Sequence, residues 1–412
     1  MMFKDVLKKV KKFLMKHMSI NRTDEFGQSS LMRAAFLGEN DEVKKLIQKK
    51  ADVNLQDKFQ DTALINAAMD GYEDIVDTLI KAGADVNVKN SWGHTALIEG
   101  ATKGNATIVE KLIKAGANVN DVDVARWSAL MNAVEKGHEE IYDLLVEAGA
   151  DVNNASDKGW TALESAARGN KEKLVDKLLM AGANVNQQDN EGYTALHISI
   201  INKNFNIMEK LINGGADVNL AQENGWTPLM LAVIRHNKEA ALALIKKGVL
   251  LDEQDENGET ALQKAVKQKE MDMVEELIQA GADLNVSNRH GNTALMIAVQ
   301  EGRVLIAEEL IKAGADVNKQ DEEGNTALIK AAEKGYILLV KDLIAADADV
   351  LIKNKDGKDA YHFAMMKGDK WVAKEIQNRV RKNIGSVIMI ARNEKNKNAL
   401  MRGYFNNHVA TR

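Results

Sequence analysis

The side chains able to do chemistry are few and scattered. Eight histidines, His17, His94, His138, His197, His236, His290, His362 and His408, are spread over 412 residues, and no two stand four apart as a helical metal pair would. Cysteine is absent, which excludes a disulfide scaffold, a Cys-ligated zinc and a cysteine nucleophile. Neither G-x-G-x-x-G nor a Walker lysine motif occurs. The acidic run Asp252, Glu253, Asp255, Glu256 and Glu259 lacks calcium-loop spacing and reads as a solvated face. No catalytic residue, metal site or cofactor is therefore expected.

Composition narrows the class further. Hydrophobic residues make up 45% and charged ones 28%, ordinary for a folded soluble chain, and the single proline, Pro228, excludes Pro-rich architectures. Net charge is −5, unevenly placed: residues 1–20 carry +5, residues 381–412 carry +6, and the body between holds the balance of −16. An acidic body is a poor nucleic-acid platform, since affinity for duplexes comes mainly from neutralising phosphates. No apolar run approaches the roughly 18 residues of a membrane span. The N-terminus lacks the apolar core of a signal peptide, so the expected location is the cytoplasm.

What organises the chain is a period. Thr62, Thr95, Thr161, Thr194, Thr227, Thr260, Thr293 and Thr326 fall on a 33-residue grid, with Ser29, Ser128 and Asp359 completing it. Each unit repeats one physical script. Asp57 or Asn90 opens a turn, and Gly93, Gly159 or Gly192 supplies a left-handed residue two before the Thr. The Thr caps a short helix such as Ala63 to Ala68, Gly71 ends it, and a second helix puts Ile75, Val76, Leu79 and Ile80 on one face. Gly83-Ala84-Asp85-Val86-Asn87 closes the unit.

On these residues the chain resembles the ankyrin-repeat family, over residues 24–380 and eleven consecutive units. The resemblance implies an all-α solenoid of a β-turn plus two antiparallel helices per unit, elongated and curved, about 100 Å long at ordinary helix spacings. Departures are few. Gln60 and Arg126 stand where the turn glycine belongs; Lys203, His236 and Lys269 replace the glycine between helices; and Gly248-Val249-Leu250-Leu251-Asp252 breaks the closing motif. The stack over 200–270 is thus expected to be the least regular. His138 falls between helices, and His197 and His362 share the register three after the capping residue, so all three read as structural.

The family binds partners with its turn tips and the inner face of the first helices. The residue just before the Thr is Trp127, Trp160, Tyr193 and Trp226 in four successive units; two earlier, the first three units give Phe26, Phe59 and Trp92, with Phe36 and Leu37 nearby. One reading is an aromatic stripe forming the core of a protein interface, where Trp and Tyr give large area at low entropy cost. The other is packing of each ring on the neighbouring turn. Later units offer Glu256, Glu259, Glu322 and Glu323, an acidic rim for a basic partner.

The expected function is a non-enzymatic protein-binding module acting as scaffold, effector or inhibitor, and a monomer. An alternative is a membrane-surface adaptor held by residues 1–20, which read as a basic amphipathic helix that either caps the first repeat or lies on anionic lipid. Residues 381–412 read as a basic tail, partly helical.

Overall fold

The computed structural model describes residues 20–382. The expected N-terminal helix and nearly all of the basic tail lie outside the described residues. The chain divides into two compact units, Met1–Asp217 and Val218–Arg412, and the division falls within the stretch marked above as irregular. Repeats 1 to 6 make up the first unit and repeats 7 to 11 the second. Among the described residues there are helices, turns and two isolated bridges, Thr23 to Ser29 and Val122 to Ser128, but no strand.

Repeat 2 shows how the local sequence makes the unit. The Asp57 side chain accepts the amides of Phe59 and Asp61 at 2.8 and 2.9 Å, which curls the chain into a tight turn. Thr62, in extended backbone, then accepts the Ile65 amide through Oγ1 at 3.1 Å and starts the helix Ala63–Asp70. Gly71 stops it at φ 82°, and Glu73–Lys81 runs back with acids in its first turn and Lys81 in its last, matched to the helix dipole. Helices of eight or nine residues are marginal alone, so their stability must come from packing. Ala67 and Ala68 are fully buried, as are Ile75, Val76 and Leu79, and within each unit first helices pack on first helices and second on second.

Where glycine is missing the backbone still turns left. Gln60 and Arg126 take φ 62° and 64°, and Lys203, His236 and Lys269 take 56°, 52° and 65°. The irregular positions therefore keep the fold and bear a strain of about 1–2 kcal/mol each. Asn170, at φ 52°, is a position the sequence hides: Gly169 beside it is right-handed, and the left-handed turn falls one residue later. Val249 is buried where most units have Ala, so the broken closing motif keeps its packing role.

Within each unit two ladders lock one repeat to the next. The Asp85 amide donates to Asn54 Oδ1 at 2.8 Å, and the same bond, spanning 31 residues, recurs from Asn118 to Asn87, Asp151 to Asn120, Asn184 to Asn153, Asp316 to Asn285 and Asp349 to Asn318. The asparagines of the closing motif are thus structural turn residues. In the second ladder, the turn amides of Lys58, Ser91 and Val124 donate to the carbonyls of Phe26, Phe59 and Trp92.

One buried carboxyl breaks the pattern of satisfied groups. Glu164 is 2% exposed and closes a capping box, its Oε2 accepting the Thr161 amide at 2.7 Å and hydroxyl at 3.1 Å. Its Oε1 is buried with no partner. At the same register in repeat 8, Gln263 Nε2 donates to the carbonyls of Val286 and Asn292, a bond that Glu164 can match only when protonated. Burial pushes the Glu164 pKa up to about 8, with Asp189 adding to it and the Thr161 bonds opposing.

Two outcomes follow. Because the folded pKa lies above the unfolded value, Glu164 favours folding below pH 4.5 and progressively disfavours it as pH rises through 8. Glu164→Gln should therefore raise the melting temperature above pH 8, by on the order of 2–4 kcal/mol of stability, and leave it nearly unchanged at pH 4. Melting curves across that range check it; an equal effect at both pH values would contradict it. Asn120→Ala removes two inter-repeat bonds, to the Asp151 amide and the Gly149 carbonyl, and should cost about 1–2 kcal/mol in the same assay.

Candidate partner-binding surface

The turn that opens each repeat aims two side chains, three and one residues before the cap. Asp57, Asn90 and Asp123 each accept both of the amides that fix those two positions, at 2.8 to 3.1 Å. The two positions have different fates.

Three before the cap, the aromatics project into solvent. Phe26, Phe59 and Trp92 are 54%, 48% and 49% exposed, and the Phe59 and Trp92 rings stack at 5.7 Å with 15° between planes. Val124 at the neighbouring turn, and Phe36 and Leu37 at the end of the first helix of repeat 1, are at least half exposed. All six lie in the first unit, forming an apolar edge on repeats 1 to 4. Val124 escaped sequence reasoning because it stands one place off the aromatic register; its signal was an apolar residue at a turn tip.

One before the cap, the aromatic side chains are half-buried, and three of the four meet a partner within the chain. The Arg168 guanidinium lies 4.1 Å over the Trp160 ring, and Tyr193 meets the His197 ring edge-on at 6.2 Å. Trp127 is half-buried as well. In the second unit, Trp226 Nε1 donates to Asp255 Oδ2 at 3.2 Å, and the Lys264 ammonium sits 5.1 Å from its ring. These rings lie against neighbouring side chains rather than stand free of them.

The acidic pair of repeat 8 also separates. Glu256 is exposed, but Glu259 is 6% exposed and paired with Lys264 and Lys267, so it is not a free acid for a partner. The cause is local: Lys264 lies four after the cap and reaches Asp255 and Glu259 together. Burial raises the Asp255 carboxyl, but the Lys264 bond and the amides of Glu259 and Asn257 outweigh it and hold it below the ordinary range.

In the first unit the inner face is differently charged. His94 Nδ1 bonds Glu99 Oε1 at 2.6 Å, and its Nε2 lies 3.6 Å from Asp123 Oδ2. The Glu99 bond raises the His94 pKa against desolvation, with Asp123 and Asp61 adding to it. Asp61 is itself raised, by burial first and then by Asp57 and Glu99, although the Asn90 amide bonds it at 2.9 Å.

Among the described residues no group of His, Asp and Glu is arranged to hold a metal ion, and no helix is long and apolar enough to cross a membrane. No curated protein matches the chain. A family model of ankyrin repeats, three copies to the model, matches residues 3–90, 31–123, 64–156, 97–189, 163–255, 244–321 and 306–386. With turn, capped helix, return helix and closing asparagine repeated through both units, and that model matching almost from end to end, the chain belongs to the ankyrin-repeat family.

Proposed function

We propose that this protein is a non-enzymatic binding module whose protein partner docks on the turn tips and inner face of repeats 1 to 4. Ankyrin repeats are in general protein–protein interaction modules. The observation that carries the reading is the exposed apolar edge of Phe26, Phe59, Trp92 and Val124, flanked by Phe36 and Leu37. Exposed aromatics held rigidly on adjacent turns match the anchors of interface hot spots, and a contiguous patch of this kind marks an interaction surface. The half-buried Trp127, Trp160 and Tyr193 continue the inner wall in that unit. In the second unit Trp226 and Glu256 are the corresponding groups; Glu259 contributes through its ion pairs and not as a free charge. Each repeat completes its core with its neighbours in the chain, so a monomer suffices for binding.

The test is an affinity pulldown from native cell extract, with wild type beside Phe59→Ala/Trp92→Ala. Both side chains are about half exposed, so circular dichroism and melting should be nearly unchanged. A partner retained by wild type should be lost from the variant, with affinity weakened by about 2 kcal/mol or more. A partner retained equally by both would move the site away from this edge.

A further inference from the structure

The inner face beside the exposed aromatic edge lacks a cation that the same register supplies elsewhere in the chain. In repeats 8 and 10 the residue four after the cap is a lysine. Lys264 meets Asp255, and Lys330 meets Asp321 at 2.7 Å, so the acid that opens the turn is neutralised from within the repeat. In repeats 2 and 3 that register holds Asn66 and Glu99. Glu99 adds a negative charge in place of the missing positive one. Glu99 and Asp123 then share a single basic partner, His94, while Asp61 holds the Asn90 amide at 2.9 Å, and no Lys or Arg pairs with any of the three among the described residues. Asp61 and Asp123 are half-buried, open enough to be reached and dry enough to be strengthened by it.

We infer that this face takes a cationic side chain, Lys or Arg, of a protein partner between Asp61 and Asp123, with an adjoining apolar side chain of that partner on the Phe59 and Trp92 rings. The inference rests on the docking reading above and gives the partner its chemistry. Charge complementarity selects the occupant: the aromatic edge alone would accept any apolar surface, whereas three carboxyls facing one imidazole beside it favour a cation and oppose an acid. The stacked rings add a face over which the partner's cationic stem can lie.

The test uses the full chain and a short synthetic peptide of alternating Lys and Leu, followed by fluorescence anisotropy. The variant is Asp61→Asn/Asp123→Asn. Asn90 already opens the turn of repeat 3 by accepting both turn amides, so Asn at 123 should keep the backbone. The expected result is binding to wild type, about tenfold or more weaker binding to the Asn variant, and no binding of a matching Glu/Leu peptide. Equal affinity for wild type and the Asn variant would overturn the cation site. If Phe59→Ala/Trp92→Ala loses the peptide while the Asn variant keeps it, the cation site falls and the aromatic docking surface stands; if neither variant weakens it, both fall. A full chain carrying Lys8→Glu/Lys9→Glu/Lys11→Glu/Lys12→Glu checks the remaining occupant. Probe affinity unchanged by those substitutions supports an external partner, and a tenfold gain would overturn it in favour of the chain's own Lys-rich N-terminus.

Discussion

The constraint on which the structure depends is the bond from a backbone amide to the asparagine side chain 31 residues earlier. Asn54, Asn87, Asn120 and Asn153 each accept one such amide at 2.7 to 2.8 Å, and each also donates to the glycine carbonyl 29 residues on. A one-residue insertion anywhere between would miss both. That ladder, with the turn-to-turn bonds, explains why the grid stays at 33 residues while side chains between its fixed points vary freely. Short helices, marginal alone, become stable because within each unit the repeats are held in register with one another.

Register in turn decides what a residue type means. The same acid five before the cap is neutralised by a lysine of its own repeat in repeats 8 and 10, whereas in repeat 4, as Asp123, it has among the described residues only His94 of the preceding repeat beside it. An aromatic three before the cap is exposed; one before the cap it lies against the inner wall. Glu164 and Gln263, again at one register, differ by an amide and a carboxyl, and the buried carboxyl, its pKa raised by desolvation, is the one that can titrate.

The fold was legible because its signals are local and repeated: Thr caps, turn acids, glycines and closing asparagines each act within a few residues. Gln60, Arg126 and Lys269 kept the glycine conformation because neighbouring repeats dictate the backbone there. The site was legible in part. Phe26, Phe59 and Trp92 could be placed at turn tips from spacing alone. The pairing of Glu259, the arginine over Trp160 and the bridging by His94 could not, since each joins side chains brought together by the turn of the inner face and separated by five or more residues in the chain. Val124 was missed for the same reason in reverse, as a single valine carries no periodic signal.

The measurement closest to the central claim is hydrogen–deuterium exchange of the full chain with and without its captured partner. Docking on the turns around Phe26, Phe59 and Trp92 should concentrate amide protection in residues 24–28, 57–61 and 90–94. Protection confined to the outer helices, around the exposed Leu305 and Leu338, with those turns unchanged, would contradict it.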